Sequence, residues 1–493
     1  MLRILLLINI FLFFIWTATE GQNSFHLERD YVSSYNLLAK GFLQGQLNLP
    51  VNPPTELLNL KNPYDPIANA KFRELGYHDF SLYKGKFYLY FAPLPALILY
   101  LPYRVLTGHG LPDNLVCFIF ISGIFIWLVM LIIHLKNSYF KETPEWMLLV
   151  AILLLSLCNL GPYILRGPCQ IYEVAVTGAC FFLTGAIYWL CKGVNQPTEK
   201  NFMLAGVFLG LAVGCRVYYM FSEFILITIV IKHLFNKKVE RSILMGFLGK
   251  LLFPTALCLI FTGIYNYFRF DSLFEVGALY QIGLLDYHIV KLYGIEYLKD
   301  NVLNYIFRPL IINSTFPFIH IQYWASPVVA HIYKFGRLAG FLTSVPFLFL
   351  LIFSPILLWF LKSDRAFEHK KNALSFFPKL EFLIILIPSC LNLVLLQFFH
   401  YTTMRYLADF LSPMILAGCI IWFYIDLRSN NLPQCKRLLT LVAVLLAGIS
   451  IVSGLAFSIV GKKHGLEEQN SDEFAKLNSF FSPISKLISK VTK

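Results

Sequence analysis

Charged residues are what this sequence has least of: they make up 14% of its 493 residues, whereas soluble globular domains carry about 25%. Hydrophobic residues account for 57% of the chain and aromatic residues for 16%. This composition excludes a soluble globular protein. Apolar runs recur along the chain, and each is long enough to cross a hydrocarbon core of roughly 30 Å as a helix. The sequence predicts an all-α polytopic membrane protein with about 11 to 13 transmembrane helices.

Motifs for cofactors and nucleophiles are missing as well. Of the ten cysteines, nine lie within or at the ends of apolar runs, Cys435 lies in a basic loop, and none falls between 20 and 87. The spacing of the cysteines matches neither a disulfide framework nor a CxxC or Cys/His metal site. We find no phosphate-cradling glycine loop, no GxSxG motif and no internal repeat. The residues alone therefore predict no certain cofactor.

The net charge of +13 comes from Lys and Arg that are spread over short segments between apolar runs. A nucleic-acid partner would need these cations on one soluble face, so it is excluded. Cytoplasmic loops typically carry this excess, and anionic lipid or phosphate substrates are the other natural partners. The most basic segments, 232–241, 362–371 and 427–437, are separated by even numbers of apolar runs, so all three can be cytoplasmic.

Twelve segments have the length and composition of membrane spans: 2–19, 88–106, 114–135, 145–165, 170–191, 202–217, 218–236, 247–268, 336–361, 380–399, 406–426 and 438–460. Twelve is an even total, whereas the charge pattern requires an odd one. Either one span has been missed, or one of these segments is broken or re-entrant. The sides of the membrane assigned by counting from the N-terminus and from the basic segments disagree between 88 and 165, so the error is expected there. The first segment resembles a signal sequence, but its apolar run extends through Trp16, which favours an uncleaved anchor.

The predicted domains are a transmembrane domain over 1–460 and a basic C-terminal tail over 461–493. Two polar regions, 20–87 and 269–335, are expected on the non-cytoplasmic side. Transporters usually place polar residues in the middle of their spans. Here the polar residues concentrate at one membrane face, which favours chemistry at the surface over passage through the middle.

The stretch "HLERDYVSSYNLLAKGF", residues 26–42, follows the first apolar run. Its apolar residues Tyr31, Tyr35, Leu38 and Phe42 are spaced 4, 3 and 4 apart, which predicts a short amphipathic helix suited to the membrane interface. Two interpretations fit the acids before it. Glu28 and Asp30 cap the helix, or one of them is a general base at the membrane surface.

A second acid, Glu173, lies one turn inside an apolar helix, with Arg166 just before that helix. A carboxylate at this depth is a functional candidate, and a local Arg166–Glu173 ion pair is the alternative. Four further cations are predicted on the non-cytoplasmic face and could bind a phosphate: Lys84, Lys86, Arg269 and Arg405. His78 and Asp79 form either a base dyad or a loop hydrogen bond.

Several segments together resemble the GT-C membrane glycosyltransferases. The acidic stretch is followed by "GQLNLP" and by "GKFYLYFAPLPALILYLPYRVLTG", an order similar to the first loop of the protein O-mannosyltransferase and lipid A aminoarabinose transferase branch. "YILRGPCQIYEVAV" is similar to that branch's arginine-plus-acid segment, and "LAGVFLGLAVGCRVYY" to its glycine-rich helix. "NYFRFDSLFEVGALYQ" and "HYTTMRYLADFLSP" look like segments of bacterial members. The resemblance covers roughly 1–290 and 400–415.

The resemblance implies a glycosyltransferase that uses a polyprenyl-phosphate sugar, with Asp30 as catalytic acid residue of the first loop, Glu28 as its alternative, and Glu173 as the second acid. It implies a bacterial inner membrane, a site facing the periplasm or exterior, and an envelope glycan, lipid or protein as acceptor. That branch has a lysine, and often a metal-binding or phosphate-facing acid, just before its paired prolines. Here Tyr90, Phe91 and Ala92 precede Pro93, so a divalent cation is left open. The rival hypothesis is a non-enzymatic flippase or carrier for lipid-linked sugars.

Overall fold

The computed structural model describes residues 1–22, 24–25, 31–237, 240–321, 334–335, 337–362, 377–462 and 464–491. Helices dominate these ranges, as the composition predicts for a membrane protein. The principal helices are α1 Leu2–Ala18, α2 Ser34–Leu43, α3 Ala96–Thr107, α4 Asp113–Tyr139, α5 Glu145–Leu165, α6 Ile171–Asn195, α7 Glu199–Cys215, α8 Val217–Asn236, α9 Arg241–Phe270, α10 Phe349–Lys362, α11 Lys379–Gln397, α12 Met404–Arg428, α13 Pro433–Val460 and α14 Ser471–Val491.

Strands and short helical turns belong to the segments between the long helices. The strands are β1 Phe80–Tyr83, β2 Lys86–Leu89, β3 Ile311–Ile312, β4 Ile319–His320, β5 Lys334–Phe335 and β6 Tyr401–Thr402. β1 pairs with β2 and β3 with β4, both antiparallel, and β5 pairs with β6 in parallel. The short helical turns are Thr55–Leu58, Ala70–Phe72, Arg73–Tyr77, Ala278–Tyr280, Ile295–Tyr297, Leu298–Val302, Leu303–Phe307, Phe341–Ser344, Pro346–Leu348 and Leu466–Gln469.

Contacts between helix ends fix the direction of the first two long helices. Arg3, at the start of α1, forms an ion pair with Glu145 at the start of α5, and α4 ends at Tyr139, shortly before Glu145. α1 and α4 therefore run in opposite directions, and the segment between them begins and ends on the same side. We call the Arg3–Glu145 end the inner end of the helix bundle, and the opposite end the outer end.

The predicted span 88–106 is wrong, because this segment stays at the outer end. Its first residues belong to β2, where the alternation in "KFYL" forms a hairpin with β1 through a turn at Lys84 and Gly85. Both turn residues have positive φ, 47° and 72°, as a two-residue hairpin turn requires. Pro93 and Pro95 then interrupt the backbone hydrogen bonding. The helix that remains, α3, has twelve residues and reaches only about 18 Å.

Removing this segment gives the odd number of crossings that the charge pattern requires. Eight helices in the described ranges are long and apolar enough to cross a membrane. α1 and α7 are shorter but run between the same two ends. The segment 341–362, which includes α10, makes the eleventh crossing in the described part of the chain, because Phe341 packs on Phe410 near the start of α12 and Phe347 packs on Trp422 further along it. α5 bends at its outer end, where Leu160 adopts a φ of 66°, so that the chain turns toward Arg166.

Glycines bring α7 into close contact with two neighbours. Gly178 and Gly185 of α6 face Cys215 and Phe208 of α7, which makes that pair antiparallel. Gly206 of α7 faces the backbone of Leu251 in α9, and Thr255 of α9 donates a hydrogen bond of 3.0 Å to the Gly206 carbonyl. Small residues allow such backbone contact between membrane helices. This packing sets the position of Arg216, which follows α7 at the outer end.

The predicted amphipathic helix is confirmed as α2, although its interior face packs on protein. Tyr35 and Leu38 are fully buried. The N-cap residue is Ser33. Glu28 and Asp30 lie outside the described residues, so their capping interpretation stays a prediction. The Ser33 hydroxyl donates to the Asp113 carboxylate of α4 at 2.9 Å, and Asn36 donates to the Leu111 carbonyl at 2.8 Å. These bonds attach α2 to the outer end of α4.

We predict that Gly206→Ala destabilises the protein. A Cβ at this position would lie 2.2 Å from the Leu251 carbonyl oxygen, so α7 and α9 must separate, at a cost of about 1–3 kcal/mol. The thermal unfolding midpoint in detergent measures the effect. Gly249→Ala, in α9, is the matched control because nothing lies within 4 Å of its Cβ. Equal midpoints for the two variants would contradict the close α7–α9 contact.

Candidate functional site

Four separate parts of the chain meet at the outer end, and each brings an ionisable side chain. The start of α6 contributes Glu173, the start of α12 contributes Arg405, the residues after α13 contribute Lys462, and the first loop contributes Asp79. Sequence reasoning selected Glu173, Arg405 and Asp79 but not Lys462. The site is therefore built from segments that are far apart in the sequence.

Glu173 is the centre of this group. Its side chain is fully buried, and Oε2 accepts a hydrogen bond of 3.0 Å from the backbone N–H of Gln170, closing a capping box at the start of α6. The other oxygen, Oε1, accepts a hydrogen bond from the Lys462 ammonium and lies 3.7 Å from Nη1 of Arg405. A buried carboxylate of this kind needs charged partners to offset its lost hydration.

Tyr172 connects the cations to the first loop. The Arg405 guanidinium lies over the Tyr172 ring, 4.5 Å from its centroid, and the Lys462 ammonium lies 5.7 Å from the same centroid. The Tyr172 hydroxyl donates to the Asp79 carboxylate, and His78 lies 3.7 Å from that carboxylate. Asp79 therefore contacts Tyr172 as well as His78, its neighbour in the sequence, and the contact with Tyr172 was not predicted.

A second buried ion pair lies beside the first and was missed from the sequence. Arg216 donates from Nη1 to both carboxylate oxygens of Asp409, at 2.8 and 2.7 Å, and the Tyr219 hydroxyl donates to the same carboxylate at 2.8 Å. The Tyr406 ring contacts both Arg216 and Arg405, with centroid distances of 5.2 and 5.4 Å. Asp409 is a single acidic residue inside an apolar run, and this pattern is the sequence signal from which a buried ion pair could have been predicted.

Arg166 does not pair with Glu173 in the described structure, so the local ion pair considered from the sequence is wrong. The Arg166 side chain is fully buried. Its Nε donates to the Ser458 carbonyl at 2.5 Å, and its guanidinium lies over the Trp16 ring, 4.5 Å from the centroid. α5 delivers Arg166 to α13 and α1 instead, because the bend at Leu160 redirects the chain.

Three other predicted phosphate ligands lie apart from the Glu173 group. Lys84 is in the β1–β2 turn, and its ammonium pairs with Asp271 at 2.6 Å. That contact lowers the pKa of the Asp271 carboxyl. Lys86 begins β2 and is exposed. Arg269 is buried and donates to the Leu89 carbonyl and to Asn266, so it attaches β2 to α9.

Glu28 and Asp30 lie outside the described residues, and their predicted role stays a prediction. The next residue, Tyr31, is described. Burial, together with the nearby Asp113 carboxylate and Cys169, raises the pKa of the Tyr31 hydroxyl. Cys169 precedes Glu173 by four residues, so Tyr31 lies near the Glu173 end of α6.

The described part of the site is chemically suited to an anion. Glu173 faces two cations, Arg405 and Lys462, which leaves one positive charge at the contact, while Asp79 joins them only through Tyr172. Burial lowers the pKa of the Lys462 ammonium, and Glu173 opposes that change. Within the described ranges no three His, Cys, Asp or Glu side chains are grouped to hold a metal ion. The arrangement can bind a phosphate by charge-assisted hydrogen bonds.

Comparison with known proteins finds solved structures of low similarity. No family model matches the sequence, and no curated protein matches it significantly. The chain is similar to the archaeal oligosaccharyltransferase AglB from Archaeoglobus fulgidus, in complex with an inhibitory peptide and a dolichol-phosphate, with 9% identity and a TM-score of 0.41. It is also similar to the Archaeoglobus fulgidus oligosaccharyltransferase tethered to an acceptor peptide, with 10% identity and a TM-score of 0.39.

These similarities extend over 97% and 94% of this chain. They cover 59% and 56% of the archaeal chains. The chain therefore spans less than two thirds of the length of either neighbour.

We predict that Asp409→Asn strongly destabilises the protein. Arg216 would lose its counter-ion while it stays buried, which costs about 3–5 kcal/mol. Asp426→Asn is the matched control, since Asp426 lies at the inner end of the same helix and its partner Lys436 is 31% exposed. We expect the control to cost about 1 kcal/mol. Thermal unfolding in detergent compares the two, and equal losses would refute a special role for the Arg216–Asp409 pair.

Proposed function

We propose that this protein is an integral-membrane glycosyltransferase of the GT-C type. It transfers a sugar from a polyprenyl-phosphate donor to an acceptor on the non-cytoplasmic face, and the acceptor is a lipopolysaccharide, a lipid-linked glycan or a protein. The observation that carries the proposal is the buried contact of Arg405 and Lys462 with a single carboxylate, Glu173, at the outer end. The resemblance of the first loop to GT-C enzymes supports the same reaction.

The cations match the charge of the expected donor. A polyprenyl-phosphate sugar is a phosphodiester with one negative charge, and Arg405 and Lys462 together exceed the charge of Glu173 by one. The outer ends of membrane helices lie at the level of lipid headgroups, where the phosphate of a membrane-embedded donor also lies. Arg405 can bind two phosphate oxygens at once, and Lys462 acts as a point charge. We assign phosphate binding to these two residues, with Glu173 as the positioning residue.

The transfer step needs one base. In the proposed step the acceptor hydroxyl or amine attacks the anomeric carbon from the side opposite the phosphate, and its proton passes to the Asp30 carboxylate, with Glu28 as the alternative. The bond between the anomeric carbon and the phosphate oxygen breaks, so that polyprenyl phosphate leaves with the bonding electron pair and the anomeric configuration inverts. The second pKa of a phosphate monoester is about 6, so the leaving group requires no general acid.

The distribution of buried charge favours an enzyme over a carrier. In the described helices that cross the membrane, each buried Asp, Glu, Lys or Arg side chain lies within the first or last seven positions of its helix. A carrier for lipid-linked sugars would be expected to place such groups near the middle of the bilayer. The polar groups at the outer end suit chemistry at the membrane surface.

A single assay on the purified protein in nanodiscs tests the proposal, with labelled polyprenyl-phosphate sugars as donors. Arg405→Gln and Lys462→Gln should each weaken donor binding by about tenfold to a hundredfold, since a charge-assisted hydrogen bond contributes about 1.5–3 kcal/mol. Asp30→Asn should abolish transfer and leave donor binding intact. Lys84→Gln is the control, because Lys84 already pairs with Asp271 at an exposed turn, and its donor binding should equal that of wild type.

Three outcomes would contradict parts of the proposal. Unchanged donor binding in both cation variants would remove the phosphate site from the Glu173 group. Normal transfer by Asp30→Asn would remove the base assignment. Movement of the labelled lipid between leaflets without any transfer to an acceptor would identify a carrier.

A further inference from the structure

The C-terminal segment, predicted from the sequence only as a basic tail, folds back onto the outer end. α13 ends at Val460, and Gly461 turns the chain with a φ of 60°. A short helix, Leu466–Gln469, follows, and Asn470 donates to the Glu20 carbonyl at 3.0 Å. Glu20 follows α1, so this contact places the start of α14 at the outer end of the bundle.

α14 has two different apolar flanks. Phe474 and Phe481, seven residues apart, pack on Phe316 of the second loop, with ring centroids 5.5 and 5.1 Å away. Phe480 and Leu487, also seven residues apart, lie on the other flank, where they are 76% and 66% exposed. Ile484 lies between them and is also exposed. One flank of the helix therefore has a protein partner, while no residue in the described ranges covers the other.

Lysines border the uncovered flank. Lys476 lies four residues before Phe480, and Lys490 lies three residues after Leu487, so both fall on the same side of the helix as those apolar residues. Lys476 also contacts Glu473, at 3.4 Å. The opposite face carries Ser482 and Ser489. An apolar face bordered by lysines, with a polar face opposite, is the pattern of a helix that lies in the membrane interface.

We infer that α14 lies along the membrane surface at the outer end of the helix bundle. Phe480, Ile484 and Leu487 lie in the boundary between headgroups and acyl chains, and Lys476 and Lys490 lie at the phosphates of lipid headgroups. The position of α14 at the outer end of the membrane helices supports a lipid surface as its occupant. The same segment carries Lys462, whose ammonium binds Glu173. Membrane attachment of α14 therefore holds the C-terminal segment in place, and with it a cation of the candidate site.

Tryptophan quenching by lipids with brominated acyl chains tests this inference on the full chain in bilayers. Phe480→Trp should add fluorescence that the brominated lipids quench. Ser489→Trp, on the polar face of the same helix, is the matched control, and its added fluorescence should not be quenched. The wild-type protein, with its seven tryptophans, supplies the background. An unquenched Trp in the Phe480→Trp protein, or equal quenching of both variants, would overturn the inference.

A second measurement tests the connection to Lys462. The triple substitution Phe480→Ser, Ile484→Ser and Leu487→Ser should speed the hydrogen exchange of the Gln469 and Asn470 amides, which are hydrogen-bonded in the short helix. Exchange at the wild-type rate would show that the membrane contact does not hold this segment. Neither readout requires glycosyl transfer, so failure of the proposed enzymatic activity would leave both results unchanged.

Discussion

The buried Glu173 carboxylate is the constraint on which the outer end of this protein depends. A carboxylate with no exposed surface must be compensated, and here the compensation comes from an ammonium and a guanidinium that the chain delivers from distant positions. Lys462 arrives after the last span, Arg405 at the start of α12, and the neighbouring Tyr172 reaches Asp79 in the first loop. The same contacts thus connect three parts of the fold and assemble two cations at the membrane surface.

The helical scaffold could be predicted because it follows from local properties of the sequence. Apolar length identifies a span, and Lys and Arg in the loops orient it. The segment 88–106 shows where this reasoning fails. Its hydropathy resembles that of a span, but the alternation in "KFYL" and two prolines favour a hairpin and a short helix. The Lys and Arg in the loops require an odd number of crossings, and the sides of the membrane that they assign disagree with the predicted spans in this same region.

The candidate site could be predicted only in part, since its contacts join residues that are distant in sequence. The sequence points to Glu173 because a carboxylate inside an apolar helix is costly to bury, and to Arg405 because a cation on the non-cytoplasmic face can bind a phosphate. Their association with Lys462, and the pairing of Arg216 with Asp409, depend on how the helices pack. Arg166 illustrates the same point, because it is close to Glu173 in sequence and yet binds the Ser458 carbonyl after the chain bends at Leu160.

The central claim is that Arg405 and Lys462 bind the phosphate of a lipid-linked sugar. A cryo-electron microscopy structure of the protein with a bound polyprenyl phosphate tests it most directly. The account predicts phosphate oxygens within hydrogen-bonding distance of the Arg405 guanidinium and the Lys462 ammonium, next to Tyr172. A phosphate bound instead at Lys84 and Lys86, or in the middle of the bilayer, would contradict it.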